Sequence, residues 1–279
     1  MLERGEEVPE PGPLWTVHTG DSPVVATAIH DGHELRPEIR QLIRLPDAER
    51  LREEDPFTGA WTTIAPTRVV VHRSRFEVDM NRPREGAVYR TPEECWGLDV
   101  WHEPPSADVL ERSYTEHDAF YAHLRELFDR IEREHGRFVV YDLHSYNHRR
   151  AGPGEPPDDP AANPEINLGT GSMDRERWGA VVEAFLGTMR AQRIGGRAPD
   201  VRENVRFKGG WLSTWVHRTY PDTGVALAIE VKKTFMDEWT GVPDEARLDE
   251  VRRALAATVP AVRQALGTAE RLPAGTLRA

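Results

Sequence analysis

Phe138-Val139-Val140-Tyr141-Asp142-Leu143-His144 is an apolar run of strand length that ends on a histidine. A run rich in β-branched and aromatic residues, with no polar alternation, describes a strand buried on both faces, as inside a parallel sheet. What precedes it fits a crossover. Over residues 114–134, Phe120, Leu124, Leu127, Phe128 and Ile131 recur on one face of a helix, and Gly136 supplies the stop. Upstream, Val24-Val25-Ala26-Thr27-Ala28-Ile29 is a second apolar run, and it too ends on a histidine, His30. Residues 68–72 read as another buried strand, 76–80 alternate like one more, and 225–231 form a strand carrying Glu230. Helices are predicted over 37–45, 175–192 and 246–266, the last kinked at Pro260. Strands alternating with helices predict an α/β fold on a mostly parallel or mixed sheet.

The organisation follows. Pro9, Pro11 and Pro13 discourage regular structure at the start, so residues 1–22 read as a flexible lead-in and 23–279 as a single domain. Residues 151–164, rich in Pro, Gly and Asp, read as a mobile loop. With 279 residues, 38% hydrophobic and 30% charged, the chain is long enough for a sizeable core and too apolar for wholesale disorder. A net charge of −11, from 36 basic and 47 acidic residues, excludes a general nucleic-acid or anionic-membrane binder, but not a local basic pocket. The acidic start is the reverse of a signal peptide, and no run approaches the ~20 apolar residues of a membrane span, so the cytoplasm is the expected location. Cys95, the only cysteine, has no evident base partner and rules out a thiolate metal site. Any metal must therefore be held by His and carboxylates.

Histidines just past two buried strands suggest such a site, because ligands in open α/β sheets bind at the carboxyl ends of strands. Zinc favours His with a carboxylate and one open position, and His30, Asp55 and His144 make such a set. His33, three residues beyond His30, is a substitute or an addition, and Asp142 is a candidate outer acceptor orienting a ligand. Against this stands the ordinary fate of a strand-end histidine, which is a hydrogen-bonded structural role. Glu230, inside an apolar strand, reads either as a general base or as half of a salt bridge to Lys232 or Arg75. Asn81-Arg82 suits a carboxylate, or else a solvated strand edge. Arg206-Phe207-Lys208-Gly209-Gly210 places two cations before glycines that permit either a close ligand approach or a plain turn.

Taken in order, these segments resemble the N-formylglutamate amidohydrolase family. The blocks are His30-Asp31-Gly32, Asp55-Pro56-Phe57-Thr58, Ser74-Arg75-Phe76, Asp79-Met80-Asn81-Arg82-Pro83, Asp142-Leu143-His144-Ser145, Asn167-Leu168-Gly169-Thr170, Phe207-Lys208-Gly209-Gly210, Ile229-Glu230 and Met236-Asp237-Glu238. That family is similar to zinc carboxypeptidases and aspartoacylase-like deacylases. The resemblance implies a three-layer αβα fold with a mixed central sheet, like the zinc carboxypeptidases and the phosphorylase/hydrolase folds. It implies one zinc per chain on His30 and His144, with the third ligand open between Asp55 and His33, since carboxypeptidases place a glutamate at His33's spacing. It further implies Glu230 as general base, Arg75 on the oxyanion, Asn81 and Arg82 on a substrate carboxylate, and Lys208 at the substrate's other end. The implied substrate is a small molecule or peptide with a free carboxylate. Hydrolysis of an N-acyl amino acid is the favoured activity. A carboxypeptidase-like or peptide-tailoring hydrolase and a non-catalytic carboxylate-binding protein are the alternatives. The stretch between Gly210 and Gly224 is longer than the family's usual form.

Overall fold

The computed structural model describes residues 12–268. The strands are β1 (Trp15–His18), β2 (Val24–Ala28), β3 (Thr67–Val71), β4 (Phe138–Tyr146), β5 (Ile166–Gly169), β6 (Val201–Glu203) and β7 (Gly224–Lys232). They form one mixed sheet in the order β1-β3-β2-β4-β7-β5-β6. β3, β2, β4 and β7 run parallel, while β1 and β5 pair antiparallel with β3 and β7. The helices are α1 (Pro37–Leu42), α2 (Asp47–Glu53), α3 (Thr58–Trp61), α4 (Ala107–His135), α5 (Gly179–Arg190), α6 (Trp211–Thr219) and α7 (Glu245–Thr268).

Side-chain alternation along the central strands divides the core into two layers. Val139, Tyr141 and Leu143 of β4 join Phe185 of α5 and Leu255 of α7 on one side. Phe138 and Val140 join Phe120 and Leu124 of α4 and Val216 of α6 on the other. Every residue of β2 and β4 is buried, which is why neither strand shows a polar alternation. The result is the expected three-layer αβα arrangement on a mixed sheet. Because the four central strands are parallel, their carboxyl ends share one edge, and His30, His144 and Glu230 all lie there.

Several expectations need correction. Trp15–His18 is an edge strand paired with β3, so the lead-in is not loose there; residues 1–11 lie outside the described residues. Residues 76–80 are not a strand. Phe76, Val78 and Met80 are buried, but so are Glu77 and Asp79, and the segment coils irregularly with both sets inside. α4 starts at Ala107, seven residues before the predicted start at 114, where Ser106 caps it by accepting from the Val109 N–H. α7 runs on through Pro260, whose missing N–H falls on the exposed side of the helix. The long stretch after Gly210 is mostly α6, a helix that no sequence pattern predicts.

Candidate functional site

His30, Asp55 and His144 converge. One ligand atom from each lies within 4.8 Å of the others, and all three residues are buried. His30 leaves the sheet two residues past β2, and its carbonyl accepts the Asp55 N–H at 2.9 Å, tying the two segments together. Asp55 follows α2 in a turn where Phe57 takes a left-handed backbone (φ 72°), a costly conformation for a residue with a side chain. Asp55 Oδ2 stands 3.4 Å from His30 Nδ1 and 2.9 Å from His144 Nδ1. Each imidazole is held from behind. His30 Nε2 meets Asp79 Oδ1 at 2.7 Å, and His144 Nε2 meets Asp142 Oδ1 at 3.1 Å. A carboxylate at Nε2 fixes the proton there and turns the Nδ1 lone pair inward.

The electrostatics agree with that picture. Burial raises the Asp55 carboxyl, but the imidazoles of His144 and His30 beside it outweigh that and hold the group well below the carboxylate range. Asp79 is likewise pushed up by burial and driven far down by Arg75 and His30. His30 Nδ1 is buried with no hydrogen-bond partner. Such an orphan is rare in a folded interior and has an explanation if an ion belongs there. Two imidazole nitrogens and a carboxylate oxygen suit zinc or another divalent metal of similar preference.

Glu230 stands directly across the β4–β7 register from His144. It makes no ion pair among the described residues: Arg75 binds Asp79, and Lys232 donates to the Asn163 carbonyl. Burial, with Asp55 and Asp142 adding to it, pushes the Glu230 carboxyl up to about 8, against the pull of His144 and Arg75. A carboxyl poised near neutrality and facing a cavity is suited to exchange a proton. Arg75 Nη2 donates to Asp79 at 2.9 Å, its Nε to the Tyr89 hydroxyl at 3.2 Å, and its guanidinium lies 4.8 Å from the Trp96 ring.

These groups line a cavity of about 550 Å³ together with Asn81, Arg82 and Lys208. Asn81 is fixed by α6, whose Leu212 N–H donates to its Oδ1 at 3.0 Å. This packing needs Gly210, because a Cβ there would lie 2.3 Å from the Asn81 carboxamide. Arg82 is 42% exposed and only 3.9 Å from Asp79, so its guanidinium is loosely held. Arg150 and Arg206 add positive charge at the same cavity, and Trp96, 49% exposed, lies at its wall.

His33 does not join the cluster. It is 37% exposed, and its Nδ1 lies 2.5 Å from Glu54 Oε2 while Arg50 approaches its Nε2 at 3.1 Å. Between Asp55 and His33, only Asp55 reaches the two histidines. Cys95 is buried and its thiol is pushed up to about 12 by burial, so it is inert. Arg206, one of the two cations before Gly209, does line the cavity. No local pattern marks Asp79 as the residue behind His30, 49 positions away, or Tyr89 and Trp96 as neighbours of Arg75.

The family model for N-formylglutamate amidohydrolase matches residues 22–236. Among solved structures, the chain is similar to an N-formylglutamate amidohydrolase from Ralstonia eutropha JMP134, with a TM-score of 0.69 and 18% identity, covering 90% of this chain and 96% of that one. It is also similar to a gene product from Agrobacterium tumefaciens, with a TM-score of 0.59 and 18% identity, covering 92% and 95%. At such identities the structural likeness bears on the fold. No curated protein gives a significant match.

Proposed function

The chain belongs to the N-formylglutamate amidohydrolase family, and from that premise we propose that it hydrolyses the amide of an N-acyl amino acid with one zinc ion held by His30, Asp55 and His144. The observation that carries this reading is the inward-facing donor set, with a buried His30 Nδ1 left unpartnered and both outer imidazole nitrogens tied to carboxylates. When bound, zinc supplies Lewis-acid polarisation of the scissile carbonyl and lowers the pKa of water to about 7.

The chain's own groups do the rest. Asn81 and Arg82 grip the substrate carboxylate, placing the amide before chemistry begins. Glu230 accepts the proton of the attacking water and returns it to the departing nitrogen, so the acyl group leaves as an acid and the amino acid as an amine. Arg75 offsets charge on the carbonyl oxygen in the tetrahedral state. Lys208, with Arg206 near it, suits a second acidic group at the substrate's far end. A cavity of about 550 Å³ also favours a second reading, a peptide-tailoring hydrolase using the same groups on a longer substrate. A protein that only bound carboxylates would need neither Glu230 nor the three-residue donor set.

The test is metal content by elemental mass spectrometry, beside hydrolysis of N-formyl-L-glutamate and of short N-acyl and C-terminal peptides. The expected result is about one zinc per chain, lost in His30→Ala and His144→Ala together with activity. A wild-type chain that takes up no zinc on reconstitution would overturn the mechanism.

A further inference from the structure

The element proposed to grip the substrate carboxylate, residues 79–82, lies in no helix or strand. A binding group on irregular backbone needs anchors of its own, since the sheet's hydrogen bonds do not hold it. Two buried side chains of α4, four residues apart and hence on one face, supply them. The Tyr121 hydroxyl donates to the Met80 carbonyl at 2.6 Å. One turn away, His117 Nε2 meets the Arg82 carbonyl at 2.9 Å, so this nitrogen carries the proton. The two rings lie 4.8 Å apart. The carbonyls on either side of Asn81 are thus pinned by the same helix.

The remaining polar atoms of Asn81 are also committed. Its N–H donates to Asp79 Oδ1 at 2.7 Å, its carbonyl accepts from the Trp211 N–H at 3.3 Å, and its Oδ1 accepts from Leu212. Only Nδ2 is left, 3.5 Å from a His144 Nε2 whose proton is engaged by Asp142. The donor end of the carboxamide therefore faces the cavity, and its aim depends on the backbone of residues 80–82. The loosely held Arg82 guanidinium contributes nothing to fixing that backbone, whereas the Arg82 carbonyl does.

We propose that His117 and Tyr121 are positioning residues that set the affinity of this site for a substrate carboxylate, without touching the substrate. This rests on the reading of Asn81 and Arg82 given above. A merely structural role would lower zinc content, kcat and affinity together; a positioning role moves affinity alone.

The experiment uses the full chain reconstituted with zinc, as wild type, Tyr121→Phe, His117→Leu and His117→Gln. It reads zinc content, L-glutamate affinity by calorimetry, and kcat and KM for N-formyl-L-glutamate. In Tyr121→Phe and His117→Leu, Kd and KM are expected to rise roughly five- to tenfold, as loss of one buried donor implies. Zinc stays bound, and kcat stays within about twofold, the pattern of lost uniform binding. His117→Gln, whose carboxamide can donate to the same carbonyl, recovers most of the affinity. Unchanged Kd and KM in the first two variants overturn the inference, as does a kcat or zinc loss that keeps step with KM. Should the wild type bind L-glutamate yet hydrolyse no acyl amino acid, the hydrolase reading fails while the Kd series still decides this one. A wild type that binds no L-glutamate overturns this inference, while zinc uptake and hydrolysis of the acyl substrates still decide the hydrolase reading.

Discussion

Arg75 divides one guanidinium between two tasks. Its Nη2 and Nε are spent on Asp79 and Tyr89, and its Nη1 makes no hydrogen bond to the protein among the described residues. Burial works against its charge, but Asp79 and Tyr89 more than offset it and keep the side chain cationic. Arg75→Ala therefore has two separable effects. Loss of the donor to the developing oxyanion lowers kcat by about 10²–10³. Loss of the partner behind Asp79 loosens the brace on His30, and changes of that kind cost about 10–100-fold in metal affinity. Assays at saturating zinc isolate the first effect, and kcat that survives there would place Arg75 away from the reacting carbonyl. At this scale much of the site was legible. His30, Asp55, His144, Glu230 and Asn81 fall at strand ends or in short family motifs, and the fold brings them together. His33, the alternative third ligand, stays apart because a three-residue spacing brings side chains together on a helix or in a tight turn. Here the chain between His30 and His33 is not helical, and Gly32 packs so closely on His72 that a Cβ would lie 2.1 Å from its carbonyl carbon.

Among the elements, α4 and the buried parallel strands were readable because each carries an unbroken pattern. Residues 76–80 were misread because alternation implies a strand only when one face is wet. Here Glu77 is buried against Arg36 and Arg73, at 3.0 and 3.2 Å, as deeply as the apolar residues beside it. α6 went unread because its apolar face is short and follows two glycines. Its His217 makes the contact with β7 sensitive to acid. His217 Nε2 accepts the Ala226 N–H at 3.0 Å, so Nδ1 carries the proton and faces Ser172 Oγ at 2.9 Å. This tautomer cannot serve as a base toward Ser172, and the pair is structural. Burial holds the imidazole neutral and lowers its pKa from 6.5 to about 4. The unfolded chain then binds the extra proton first, so the contribution is intact above pH 6.5 and is lost as pH falls through the folded value. Between those limits the loss approaches roughly 3 kcal/mol. Urea midpoints of the zinc-loaded chain at pH 7 and 4.5 should fall more steeply for wild type than for His217→Asn, whose carboxamide does not titrate. Parallel slopes would mean that other groups account for the acid sensitivity.

At the scale of the whole molecule, an acidic protein carries a basic cavity. The chain bears a net −11, yet Arg75, Arg82, Arg150, Arg206 and Lys208 line the pocket against Glu53, Asp55 and Glu230. Composition showed the first fact and could not show the second, because these cations come from segments brought to one sheet edge only by the parallel order of β3, β2, β4 and β7. The two fields act oppositely on an anionic substrate, and distance decides between them. Screening reaches about 10 Å at 0.1 M salt, so acidic groups scattered over the outer surface are largely silenced there, while cations within a few ångströms of the bound carboxylate are not. The half-exposed Arg82 still feels further salt, whereas Arg75, 11% exposed, and buried Asp55 are largely shielded from it. Raising ionic strength from about 0.1 to 1 M, where screening shortens to about 3 Å, should therefore raise KM for N-formyl-L-glutamate, with kcat and zinc content little changed. The slope should shrink in Arg82→Gln, which removes the exposed cation without adding bulk. A KM that falls with salt would mean that the acidic exterior, not the pocket, governs how the substrate arrives.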